Sequence, residues 1–102
     1  MQLVLRRSDL GWGAMEDYVE RRLRFALGRF GDRVRTVWVS LRDQNGPRGG
    51  PDKQCRIEVD GGRELRVVTE ETHADLHFAI DRAAERTGRS FARALGRVKK
   101  RR

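Results

Sequence analysis

The chain has 102 residues, enough for one domain with a real core and too few for two. Its 37% hydrophobic fraction is matched by 37% charged residues, and 23 Lys and Arg against 15 Asp and Glu leave a formal charge of +8. That balance suits a small soluble protein with a heavily charged surface. It does not suit a disordered chain, because apolar positions recur at regular periods, nor a membrane span, because no apolar run is long enough. The opening MQLVLRRSDL is charged too soon for a secretory signal, and Asp9, Glu16 and Asp17 come too early for a mitochondrial presequence. A cytoplasmic protein is expected.

Gln2–Arg7 reads as a short strand with Leu3 and Leu5 on one face. After a turn at Ser8–Gly13, residues from about Ala14 to Phe30 read as a first helix. Its apolar face is Met15, Val19, Leu23, Ala26 and Phe30, and Gly31 is its expected end. Tyr18, Arg22, Phe25 and Arg29 form a mixed aromatic and basic row on its flank, expected to be core margin with the arginines snorkelling to water. Val34–Asp43 alternates, with Val37, Val39 and Leu41 on one side and Trp38, Ser40 and Arg42 on the other, as in a half-buried strand.

The connection Gln44–Asp52, QNGPRGGPD, is long for so small a domain. It lacks the lysine-serine ending of a phosphate-cradling loop and no helix follows it, so nucleotide hydrolysis is not expected. Arg48 and Lys53 remain candidates for phosphate contacts. Lys53–Val59 and Glu64–Thr69 read as a hairpin joined by Asp60-Gly61-Gly62. Cys55, the single cysteine, lies on the apolar side with Ile57 and Val59, where a small buried thiol is expected and an intrachain disulfide is impossible. Residues from about 74 to 99 form a long final helix. The order is β-α-β-β-β-α, an α+β fold in which two helices cover one face of a mainly antiparallel four-stranded sheet and the other face is wet.

The final helix has two committed faces. Arg82, Arg86, Arg89, Arg93, Arg97 and Lys100 follow one another at spacings of four, three, four, four and three, which align them in one basic stripe. Leu76, Ile80, Ala84, Thr87, Phe91, Leu95 and Val98 fall opposite and can pack on a core. Residues 74–102 hold nine Arg or Lys against three Asp or Glu, so six of the eight net charges sit here. Like charges at i, i+4 repel by a few tenths of a kcal/mol, which folding alone would not favour. Arginine's planar fork suits phosphate oxygens and bases, so the stripe is read as a polyanion footprint, with nucleic acid as the expected partner.

A metal site is the enzyme-like alternative, since His73 and His77 flank Asp75 near the start of that helix. HADLH nevertheless lacks the glutamate of the zinc-protease pattern, and a third ligand would have to come from Cys55 or a distant carboxylate. No catalytic residue, metal or cofactor is therefore expected.

Taken together, the opening QLVLRR, the helix segment DYVERRLR, the stretch LRDQNGPRGGPDKQCRIEV and the Arg-rich last helix opening ADLHFAID resemble the ribosome hibernation factor family. The family is also called ribosome-associated inhibitor A, ribosomal subunit interface protein or sigma-54 modulation protein. Its Asp-hydrophobic-Tyr-x-Ala-Ile-Asp pattern is carried by Asp75, Leu76, His77, Ala79, Ile80 and Asp81, with His77 in place of the usual tyrosine. The resemblance implies a β-α-β-β-β-α domain similar in shape to double-stranded-RNA-binding domains. Such a domain lodges between head and body of the small ribosomal subunit, overlaps the paths of mRNA and of A- and P-site tRNA, and shuts down translation during stress or stationary phase.

Carried onto this chain, the resemblance directs Arg82, Arg86, Arg89, Arg93 and Arg97 at small-subunit rRNA, joined by Lys100 from the stripe. Arg21, Arg22 and Arg29 are weaker candidates. The chain ends after Lys99-Lys100-Arg101-Arg102, so the short form is expected, without the domain by which long members pair ribosomes. The free protein is expected to be a monomer with no membrane or small-molecule partner. The alternatives are a generic RNA-binding or ribosome-assembly module with no inhibitory role and, more distantly, a transcription modulator.

Overall fold

Four alternating segments form four strands, β1 (Gln2–Ser8), β2 (Thr36–Asp43), β3 (Lys53–Asp60) and β4 (Arg66–His73), and two amphipathic segments form helices α1 (Met15–Leu27) and α2 (Leu76–Lys100). The structure, a computed structural model, describes residues 1–44 and 52–100. Arg48 and most of the connection around it lie outside those residues. The strands form one sheet in the order β1-β2-β3-β4. β1 pairs with β2 in parallel, because α1 carries the chain back to the end of the sheet where it began. The other two pairs are antiparallel. The expected α+β order is therefore the observed one.

The period of two puts Val37, Val39 and Leu41 of β2 beside Cys55, Ile57 and Val59 of β3, all fully buried, with Val67 and Thr69 of β4 completing the face. Ile80, Ala84, Thr87, Phe91 and Leu95 of α2 pack down on that face as their spacing predicts. Leu76 and Val98 lie at its margin. Ala79, Ala83, Gly88 and Ala94 are also buried, so the contact stripe is wider than the large side chains suggest. Val19, Leu23 and Leu27 supply the buried face of α1.

Several boundaries differ from those expected from the sequence, β2 among them, which starts at Thr36 rather than at Val34. The first helix ends at Leu27 rather than at Phe30, and residues Gly28–Arg33 tighten into a 3-10 segment in which Gly31 takes φ of 56°. That tighter winding brings Phe30 to within 4.9 Å of Phe91, ring centre to ring centre. The strand expected at Glu64–Thr69 begins only at Arg66, because Glu64 takes a positive φ of 63° that no strand contains. The turn there closes through Leu65, whose carbonyl accepts from Gly61 N–H at 2.7 Å and whose side chain drops into the core. Glycine is required at position 61, where a Cβ would meet Leu65 and Phe91 side-chain atoms at 2.7 and 2.8 Å. β4 also runs on to His73, and α2 starts at Leu76 rather than at residue 74.

Two outcomes follow from the core. Phe91 is fully buried between the sheet and Phe30, so Phe91→Ala is expected to cost about 3–5 kcal/mol, read as the shift in urea midpoint at unchanged slope. Burial pushes the Cys55 thiol up to about 12 from an ordinary 9.0. Above pH 9 the unfolded chain therefore loses the proton while the folded chain keeps it, and stability falls as pH rises, by up to about 1.4 kcal/mol per pH unit. Stability measured from pH 9 to 11 should show this extra decline in the wild type and not in Cys55→Ala.

Candidate nucleic-acid interface

The start of α2 is held by its own sequence. Asp75 Oδ1 accepts hydrogen bonds from the backbone N–H of His77 at 2.8 Å and of Phe78 at 3.3 Å, so Asp75 caps the helix from just outside it. His73 Nδ1 in turn accepts from the N–H of Asp75 at 3.0 Å. The HADLH sequence is thus a capping device. Among the described residues no three metal-ligating side chains converge.

One turn further on, Asp81 joins the two helices. The Tyr18 hydroxyl of α1 donates to Asp81 Oδ1 at 2.6 Å, and Arg22 Nε lies 3.0 Å from the same oxygen. That hydrogen bond and partial burial push the phenol above its ordinary pKa. His77 packs edge-on against the Tyr18 ring with centres 4.8 Å apart. Farther along, Gly88 lets the helices approach closely: a Cβ there would stand 3.0 Å from the Ala26 carbonyl oxygen.

The basic stripe faces outward along its whole length, but its charges are not equivalent. Arg82 lies 3.8 Å from Glu71 of β4, and Arg86 binds both the Glu71 carboxylate and, at 3.2 Å, the Glu70 carbonyl. Arg89 pairs with Glu85 one turn back at 3.1 Å. Arg93, Arg97 and Lys100 have no acidic partner among the described residues. The first half of the stripe is therefore fastened to the sheet and its own helix, whereas the second half is uncompensated positive charge.

The open face of the sheet contrasts with this. Trp38 lies between the guanidinium groups of Arg6 and Arg66, at 5.1 and 5.5 Å from its ring centre. Glu58 accepts Arg66 at 2.7 Å and stands 4.0 Å from Arg6, while Arg56 reaches Glu70 at 3.2 Å. These three arginines have carboxylate partners, so the wet face is largely charge-balanced and the helical face is not.

The chain also matches known proteins in sequence and in fold. Residues 12–99 match the model of the family described as Sigma 54 modulation protein / S30EA ribosomal protein. The chain belongs to that family. It is similar to the crystal structure of the Thermus thermophilus Protein Y N-terminal domain, with 32% identity over 91% of this chain and 98% of that one and a TM-score of 0.71. A ribosomal subunit interface protein from Coxiella burnetii shares the fold at 12% identity, with a TM-score of 0.73 over 94% of this chain and 99% of that one. Comparison with the curated proteins gives no match.

Within this family member the weaker candidates divide. Arg21 and Arg29 are exposed on α1 and the segment after it, and Arg29 lies over the Phe30 ring at 4.7 Å. Arg22 is engaged with Asp81. Lys53 is held between Asp52 at 3.0 Å and Asp43 at 3.4 Å, and its bond to Asp52 keeps the ammonium pKa above the ordinary value. Phe25, expected at the core margin, is instead 84% exposed. Position 25 falls outside the series Val19, Leu23, Ala26, and that offset is the signal by which its exposure was readable.

The two halves of the stripe should separate by mutation. Arg93→Ala with Arg97→Ala should leave the melting temperature unchanged and lower the salt dependence of RNA binding, by about 0.7–0.9 in log–log slope per lost phosphate contact. Arg82→Ala with Arg86→Ala should also cost up to about 1 kcal/mol in stability, because Glu71 loses both partners. Thermal melts and salt titrations on the two double variants measure both effects.

Proposed function

We propose that this protein is a ribosome-associated translation inhibitor. It binds small-subunit rRNA through the basic stripe of α2 and occludes the mRNA channel and the A- and P-site tRNA positions under stress, in the cytoplasm. The observation that carries this reading is the uncompensated charge at Arg93, Arg97 and Lys100, set against a sheet face on which arginines and carboxylates are paired. Membership of a ribosomal protein family and the likeness to a Protein Y domain support it.

Occlusion is a stoichiometric mechanism. The domain fills space that mRNA and tRNA need, and its own residues supply binding and no turnover. Arg82, Arg86 and Arg89 are themselves exposed and can exchange their carboxylates, half-buried Glu71 and exposed Glu85, for phosphates at modest cost, since ion pairs of surface arginines are worth about 0–1 kcal/mol. The free chain acts as a monomer.

In a cell-free translation assay, output should fall as the protein approaches one copy per ribosome, and preloading with mRNA and initiator tRNA should protect. Added salt should weaken the effect. Inhibition at far lower ratios would indicate a catalytic activity and overturn the reading. Binding confined to immature subunits, with mature ribosomes left translating, would identify an assembly factor instead.

A further inference from the structure

Phe25 is the most exposed large hydrophobic side chain among the described residues, at 84%. It stands on the outer surface of α1 with Arg21 one helical turn before it, about 6 Å along the axis, and Arg29 four residues after it in the 3-10 segment, where its guanidinium lies over the Phe30 ring. Both arginines are exposed, and neither has an acidic partner among the described residues. Beside Phe25 runs a groove between the helices, about 300 Å³ in volume, with Ala26 and Gly88 among its lining residues and three arginines, Arg22, Arg29 and Arg89, along its sides against one carboxylate, Glu85, which pairs with Arg89. The close approach at Gly88 brings an arginine of α2 to the same place as the α1 row.

A phenyl ring in water, with the Arg22 guanidinium 6.0 Å from its centre and exposed Arg21 and Arg29 four residues to either side, adds nothing to the core and leaves apolar surface wet. Its surroundings match one chemistry, a flat aromatic ring carried on a phosphate backbone. We propose that Phe25 is a stacking platform for an unpaired nucleobase of RNA, with Arg21 and Arg29 holding the phosphates on either side. This rests on the RNA-binding reading above and extends the footprint from α2 across the groove to α1. Stacking on an aromatic face is tolerant of base identity, so the site selects single-stranded or flipped-out nucleotides without reading sequence. The charged flanks disfavour an apolar protein surface, which would have to desolvate both arginines.

The test uses the full chain with two ligands, vacant small ribosomal subunits and a short single-stranded RNA carrying 2-aminopurine, whose fluorescence is quenched on stacking. Because Phe25 is so exposed, Phe25→Ala, Phe25→Leu and Phe25→Trp should all fold with wild-type melting temperatures. Phe25→Ala and Phe25→Leu should weaken binding of both ligands about tenfold and abolish the quench, at an unchanged salt slope. Phe25→Trp should restore binding and quench. Arg21→Ala with Arg29→Ala should lower the single-strand salt slope by about 0.7 per arginine.

Equal binding by Phe25→Ala and wild type, or full rescue by Phe25→Leu, would overturn the proposal. Weakened subunit binding with unchanged RNA binding would overturn it too, in favour of a protein contact at Phe25. If Phe25 variants alter RNA binding while the wild type ignores ribosomes, the inhibitor reading fails and the stacking site stands. If the wild type binds and inhibits ribosomes with Phe25 indifferent, only the stacking site falls.

Discussion

The burial of one stripe of α2 on β3 and β4 sets the rest of the molecule. Ala79, Ala83, Thr87 and Phe91 go to zero exposure with Leu95 also buried, and the small residues among them let a 25-residue helix lie close to the strands. With Phe91 alone worth roughly 1.5–3 kcal/mol by burial, a rotation of the helix by one residue would cost more than any surface charge could return. The direction of the arginines is therefore a by-product of apolar packing. Their chemistry is available because the core has already decided where they point.

Electrostatics then works on a surface whose geometry is given. On the open sheet, Glu58 and Glu70 stand among Arg6, Arg56 and Arg66, and the cross-strand register that places them is the same register that aligns the core residues behind. On α2, Glu71 from the end of β4 reaches only the first half of the helix. Past that point no ion pair holds the helix among the described residues, and it continues with Arg93, Arg97, Lys99 and Lys100. The field of the protein is consequently polar at one end, a distribution that speeds encounter with a polyanion and loses strength with salt.

The two helices act as one surface because they are tied at two points of different character. Asp81 binds Tyr18 and Arg22 near the start of α2, and the glycine at position 88 permits contact with the α1 backbone near its end. His77, standing where the family's pattern has tyrosine, packs against Tyr18 at the first of these points. The motif residues His77 and Asp81 thus act between the helices, and Asp75 acts on the helix terminus.

Much of this was legible in the residues alone. Element order, the buried sides of β2 and β3, the outward stripe and the buried Phe91 all follow from periods of two and of three to four, because a backbone of fixed geometry converts spacing directly into a face. The family followed from local motifs. What spacing does not carry is which distant groups meet. The tightening after Leu27, the entry of Leu65 into the turn, the pairing of Arg82 and Arg86 with Glu71, the clamping of Lys53 by Asp43 and Asp52, and the interhelical groove beside Phe25 each depend on contacts between segments far apart in the chain or on a backbone conformation that those contacts impose. Periodicity assigned the faces of each element, and only the packed tertiary structure decided which charges on those faces are neutralised and which stay free.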